Sequence, residues 1–346
     1  MPSPLLAALV LTLVRSTPDA GQAPTTGAGL LVALDAQLTA ALPRDGGGVL
    51  RVAGPAQVLF EKAYGGYRLD DAIPISSGTQ LLSTVVLLQL VEAGTLALEA
   101  PVSAVLHDWP ADKAAITLRM LLAHTSGLAP SAHCLDDRNS TLEACVREIA
   151  QTPLRRDPGT VVIYGSTGFQ VAGRMAEVAT GKRWADLFRD RLTRPLGLRV
   201  TGFGRTANPR IAGGAQSSAG EYAAVLDLLL GGGARDGVRL LSAASVDAMF
   251  QDQSRGVPLL QSPYALFPGR EAARPGLGLW LDRTSPDAKS PEAVCQGAFG
   301  FTAWIDRERR LEGVLLVKSD LRRIVPLEQE IRARFRQLVP VVPPGR

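Results

Sequence analysis

The stretch SSGTQLLSTVVLLQLVEAG, residues 76–94, decides how this chain reads. From Leu81 to Val91 it is apolar at nearly every position, so no face is left for water and the segment predicts a buried helix. Gly94 marks its end, since glycine is the residue most often found just past a helix C-terminus. Ser77 and Gln80 stand three positions apart at the start, which places both on one face of the first turn. Two readings of Ser77 follow. Serine is a favoured helix cap, and a serine hydroxyl can also serve as a nucleophile where a base stands within reach.

Composition sets the frame around that helix. The 346 residues are 46% apolar and 20% charged, enough to bury a large core in one domain. The formal net charge is +4, with a pI near 9.1, and the basic residues are scattered without a run of five. That distribution carries no electrostatic footprint for nucleic acid. Leu5 to Val14 form an apolar run too short for a bilayer but of signal-peptide length, with small residues Gly21 and Ala23 after it. Residues 1–23 are therefore expected to be a signal peptide, and the chain to be exported to the periplasm or beyond. No other stretch reaches the roughly 18 apolar residues of a membrane span. Cys134 and Cys145 close the short loop CLDDRNSTLEAC. A disulfide there would stabilise by about 3 kcal/mol and suits an exported protein. The competing reading is a metal site built with His124 and His133, but the spacing matches no standard zinc pattern. No metal and no cofactor is expected.

Away from the helix, LLVALDAQLTAAL (30–42) has helical periodicity. GVLRVAG (48–54) and AQVLFEKAYGGY (56–67) read as a hairpin. Residues 116–250 are mainly helical in pattern, and LGLWLD, FGFTAWID and LEGVLLVKS return to strand character before a helix, PLEQEIRARFRQLV (326–339). Strands at both ends and helices between predict an α/β (α+β) fold. Its antiparallel sheet is assembled from both termini, with flanking helices and an inserted helical subdomain. The expected boundaries are a single domain over 28–340, with a sheet part at about 28–75 and 255–340 and a helical part at about 76–254. The groove between them is where a pocket is expected.

Several short segments recur in a recognisable order: SGTQ, LLQLVEAGTLALEAPVS (87–103), ITLRMLLAHTSGL (116–128), PGTVVIYGSTGFQVAGRMAEVATG (158–181), RPLGL (194–198), AGG (212–214), LGLWLD and CQGAFGF (295–301). Together they resemble the serine β-lactamase and penicillin-binding-protein superfamily, and most closely its class C β-lactamase-like, D-alanyl-D-alanine-carboxypeptidase-like and esterase-like branch. The resemblance implies that Ser77 is the nucleophile of a Ser-x-x-Lys motif in which Gln80 replaces the lysine. It implies that Tyr164 relays the nucleophile's proton, with Ser166 where an asparagine usually contacts substrate. Cys295 and Gly297 stand where a Lys/His-x-Gly lines the site, and the backbone N–H groups of Ser77 and Ala298 would form the oxyanion hole. His124, in HTSGL, falls in a segment that supports the site.

Gln80 is the departure that matters. An amide takes no proton near neutral pH, and none of Lys62, Lys113, Lys182, Lys289 or Lys318 follows a serine at the required spacing, Lys318 at a strand end being the least remote. Losing a general base costs on the order of 10² to 10⁴ in rate, while an oxyanion hole with binding leaves about 10³ to 10⁴ over water. The expected function is a β-lactamase-related serine hydrolase, weak or altered, forming an acyl-enzyme with an amide, ester or D-Ala-type substrate, either a small molecule or a peptide. The alternative is an inactive relative that keeps the groove to bind a peptidoglycan-like ligand, a small molecule or a protein partner.

Overall fold

The computed structural model describes residues 27–42, 46–54, 57–137, 139–264, 267, 269–282 and 290–343. The expected signal segment lies outside them. Helix α1 (Gly27–Ala41) precedes an antiparallel hairpin, β1 (Gly47–Ala53) and β2 (Val58–Gly65). After β3 (Ile73–Pro74), a tight 3₁₀ turn at Ser76–Gly78 opens α2 (Thr79–Glu92). The middle of the chain supplies α3 (Leu118–Leu122), α4 (Leu142–Gln151), β4 (Val162–Ile163), α5 (Thr167–Thr180) and α6 (Trp184–Phe188). It continues through β5 (Gln216–Ser217), α7 (Ala219–Leu230), β6 (Ala234–Arg235), β7 (Val238–Arg239) and α8 (Ala243–Met249). The last part holds β8 (Leu259–Gln261), β9 (Arg274–Pro275), β10 (Trp280–Leu281), β11 (Glu292–Gln296), β12 (Thr302–Asp306), β13 (Leu311–Val317) and α9 (Leu321–Leu338).

Seven strands make one antiparallel sheet in the order β2-β1-β13-β12-β11-β10-β9. The N-terminal hairpin is thus zipped to the last strand, from Gly48 opposite Val317 to Ala53 opposite Glu312. This is the sheet from both termini that the patterning predicts. Side chains alternate across a strand, and β13 sorts them cleanly. Leu311, Leu315 and Val317 pack with Leu34 and Leu38 of α1 and with Ile324, Ile331 and Phe335 of α9, while Val314 and Leu316 join the core of α2 and α7. Helices therefore cover both faces, which is why every residue of β11, β12 and β13 is buried.

Helix α2 lies in the middle of the larger core. Leu81, Leu82, Val85, Val86, Leu87, Leu88 and Leu90 are at most 1% exposed, each contributing about 1.5–3 kcal/mol by leaving water. That burial fixes the turn before it. At the other end of the chain the structure moves a boundary. The proline of PLEQEIRARFRQLV suggests a helix start at Pro326, yet α9 begins at Leu321, capped by the Asp320 carboxylate accepting from the Arg322 N–H at 2.8 Å, and Pro326 lies inside it. LGLWLD likewise contributes only Trp280 and Leu281 as strand.

Candidate active site

The turn that carries Ser77 is held from several sides. The Thr79 hydroxyl donates to the Ser76 carbonyl (2.7 Å) and accepts from the Ala215 N–H (3.2 Å), the Ile75 N–H donates to the Ala215 carbonyl (3.0 Å), and the Tyr222 hydroxyl donates to the Gly78 carbonyl (2.9 Å). Ser76 sits at φ +48°, a left-handed conformation that a non-glycine residue adopts only under constraint. The cap reading of Ser77 is overturned: the N-cap position of α2 belongs to Gly78 and carries no side-chain bond, so the Ser77 side chain is not used by the helix. Two glycines let neighbouring segments close on this turn. A Cβ at Gly78 would reach 2.5 Å from the Phe301 ring, and one at Gly297 would overlap the Ile75 carbonyl oxygen and stand 3.1 Å from Ser76 Cβ. The end of β11 is thereby laid against the turn, with Ala298 and Phe299 exposed at its rim.

Tyr164 enters from the end of β4, its N–H donating to the Gln261 carbonyl at 3.0 Å. Its hydroxyl accepts from the Gln80 amide Nε2 at 3.2 Å, and Ser77 lies near enough to favour its ionised form. Burial raises the Tyr164 phenol above its ordinary value; Ser77 and the bond from Gln80 work against that rise, as does the field of Arg210, while Cys295 adds to it. The sequence expectations Ser77, Gln80 and Tyr164 therefore come together. Ser166, next along, is half-buried at the start of α5 with no side-chain capping bond, its N–H donating to the Pro130 carbonyl at 2.8 Å.

His124 is drawn into the same cluster more directly than its segment suggests. Its Nε2 faces the Gln80 Oε1 at 3.3 Å, its Nδ1 accepts from the Gly165 N–H at 3.5 Å, and its ring lies 4.8 Å from that of Tyr164. Only 6% of the residue is exposed, and burial pushes the imidazole down to about 3, so it is neutral. With Nδ1 accepting, the ring proton belongs on Nε2, which donates to Gln80. Trp280 packs against Tyr164, ring centres 5.8 Å apart. These partners are separated by 40 to 200 positions in the chain, and for His124 the HTSGL segment was the only signal.

Cys295 is a buried thiol on β11, paired opposite Ala303, with its sulfur 4.0 Å from the Gly278 carbonyl oxygen. Burial pushes it up to about 12, partly countered by a bond with Tyr222, so it is not a thiolate at neutral pH. Among the described residues no lysine reaches the cluster: Lys62, Lys113 and Lys182 are paired with Asp35, Asp112 and Asp190, and Lys318 is exposed. The cation whose field reaches Tyr164 is Arg210, ion-paired with Asp136 at 2.7 Å. Asp136 lines an open cavity of about 510 Å³ together with Ser131, Ala132, His133 and Asp137, just past the Pro130 that holds Ser166. The metal alternative does not assemble among the described residues. The sulfurs of Cys134 and Cys145 lie within bonding distance, Cα atoms 5.0 Å apart, and His124 is engaged with Gln80.

The family model described as Beta-lactamase matches residues 36–336. The chain is 36% identical over 134 residues to "Penicillin-binding protein 4" of Amycolatopsis lactamdurans, a match covering 37% of this chain and 35% of that protein. It is 31% identical over 184 residues to "Esterase EstB" of Burkholderia gladioli, covering 45% and 47% respectively. These matches span about a third to a half of the curated relatives. Among solved structures, a putative beta-lactamase from Bacteroides dorei superposes with a TM-score of 0.77 at 28% identity over 83% of this chain and 90% of that one.

Proposed function

The chain belongs to the Beta-lactamase family, and from that premise we propose that it is a serine hydrolase of reduced or altered activity that acylates Ser77 with an ester or amide substrate. The observation that carries this reading is the Gln80 amide bonded to the Tyr164 hydroxyl at 3.2 Å, in the place a lysine would occupy, with Ser77 favouring ionisation of the same oxygen. The substrate carbonyl sits between the backbone N–H groups of Ser77 and Ala298, which stabilise the oxyanion as it develops. Ser77 attacks as its proton passes to the ionised Tyr164 oxygen; the ester or amide bond breaks, and Tyr164 returns the proton to the leaving group. Water then repeats the cycle on the acyl-enzyme. Without a lysine the chemical step runs on the order of 10² to 10⁴ below that of a lysine-bearing site. Relatives named as a penicillin-binding protein and an esterase support amide and ester substrates, and the exposed rim at Ala298 and Phe299 supports their access. Export, with a Cys134–Cys145 disulfide, is part of the same reading.

The test is intact mass after exposure to a fluorescent penicillin and to an activated ester. An adduct that Ser77→Ala abolishes is expected. No adduct at any concentration would leave the second reading, a binding module without turnover, which is favoured by the two neutral residues, Gln80 and Cys295, at positions that the family resemblance makes cationic or basic.

A further inference from the structure

His124 stands in a conformation that costs energy. It follows α3 at φ +59°, the helix-ending position at which glycine is free of strain, and the turn is closed by the Thr125 N–H donating to the Met120 carbonyl at 2.9 Å. A buried imidazole held there, with both ring nitrogens engaged, is an expensive way to end a five-residue helix. What the position gains is a donor aimed at Gln80. The bonds run in one sense: Gly165 N–H to His124 Nδ1, His124 Nε2–H to Gln80 Oε1, and Gln80 Nε2–H to the Tyr164 oxygen. Reversing the Gln80 amide would set its NH₂ against the protonated Nε2, so the histidine fixes which end faces Tyr164.

We infer that His124 is a positioning residue that acts through Gln80, the two forming a neutral hydrogen-bond relay that stabilises the Tyr164 oxygen as the acceptor of the Ser77 proton in place of the missing lysine. This inference rests on the acylation of Ser77 proposed above. The balance closes without any proton on Gln80 or His124. Ionised Tyr164 takes the Ser77 proton as the Ser77 Oγ–acyl bond forms, gives it to the departing alkoxide as the ester C–O bond breaks, and is ionised again. An N–H bond to an anionic oxygen is about twice as strong as one to a neutral hydroxyl, which favours the ionised tyrosine by about tenfold. The other titratable or charged groups around Tyr164 are Cys295, Tyr264 and Arg210. The two thiol and phenol groups oppose ionisation and the guanidinium, already paired with Asp136, favours it.

The experiment measures acylation by a p-nitrophenyl ester across about pH 7 to 10.5 in the wild type, Gln80→Met, His124→Asn and the double variant. Asparagine is chosen because it tolerates a left-handed backbone. Each single variant is expected to be about tenfold slower at a fixed pH below the inflection, with its profile displaced upward by about one unit, and the double variant no slower than Gln80→Met. Multiplying losses in the double variant, or an unmoved profile in His124→Asn, overturns the relay. Two readouts do not need turnover. The ¹⁵N spectrum of the His124 ring should show a neutral Nε2–H form from about pH 5 to 9, and ultraviolet titration should place the Tyr164 phenol higher in both single variants. An Nδ1–H tautomer or an unshifted phenol overturns the relay even if Ser77 is never acylated, whereas a shifted phenol without acylation overturns only the hydrolase reading.

Discussion

The amide nitrogen of Gln80 donates to the hydroxyl of Tyr164 across 3.2 Å, joining the first turn of α2 to the strand end before α5. A lysine in that position could both donate and, once neutral, take up a proton; an amide can donate but takes up no proton near neutral pH. On the reading proposed above, Ser77 keeps the setting of a nucleophile, and dipoles replace the charge that would set its tyrosine.

Restoring the charge should restore speed. Gln80→Lys is expected to raise the rate of Ser77 acylation by a factor on the order of 10² or more, read by intact mass against time. Because position 80 is only 3% exposed, the variant should also lose some thermal stability to desolvation of the ammonium. A folded Gln80→Lys protein that acylates no faster would show that the rest of the groove does not accept the substrate.

The pH profile should be alkaline. Burial is the largest influence on Tyr164 and raises it, so the phenol is overwhelmingly protonated at pH 7. Below its inflection the ionised fraction, and with it the acylation rate, grows about tenfold per pH unit. Stopped-flow rates should climb from pH 7 to beyond pH 10 without levelling. A plateau near pH 7 would mean that another base serves Ser77.

Stability should carry the opposite trend through Glu312. Its side chain is fully buried on β13, both oxygens lack hydrogen-bond partners among the described residues, and burial, with Asp227 and Glu61 adding to it, raises its carboxyl well above the usual range. The folded state keeps a proton that the unfolded chain releases above about pH 4.5. This group's stabilisation is therefore complete below that pH and is lost as pH rises towards the folded value. Urea melts of Glu312→Gln should show a flatter dependence between pH 5 and 8 and a gain of about 1–3 kcal/mol at the upper end. An equal slope in both proteins would remove Glu312 as the cause.

The three cysteines should separate by reactivity. In protein recovered from an oxidising compartment, Cys134 and Cys145 are expected to resist alkylation until reduced, and reduction should cost about 3 kcal/mol. Cys295 should remain unlabelled in the folded state, being 7% exposed and a protonated thiol at neutral pH, and become reactive only in denaturant. Mass mapping that finds Cys134 and Cys145 free in that material would remove the bridge.

Local rules made much of this legible. The apolar run 81–91, the glycine after it, the hairpin and the alternating strands at the chain's end all speak through nearest-neighbour chemistry, and each appears where expected. The start of α9 escaped because a proline is a common first helical residue, and here the Asp320 cap six residues earlier outweighs it. The cap reading of Ser77 was open until Gly78 was seen to hold that position. His124, Gln80 and Tyr164 belong to three segments that meet only through packing, so no spacing rule could join them. Arg210 was invisible for the same reason.

The pairing of β1 with β13 also says when the groove can exist. Ser77 is made early in synthesis, but the strand end at Gly297 that closes on it, and the last strand that locks the N-terminal hairpin, emerge late. Contacts so distant along the chain form slowly, because a long loop must be closed before any of them is rewarded. A chain halted before residue 292 would hold its serine and its glutamine and still have no wall to press a substrate against. Synthesis of β11 to β13, rather than the appearance of Ser77, is the event that brings these contacts into being.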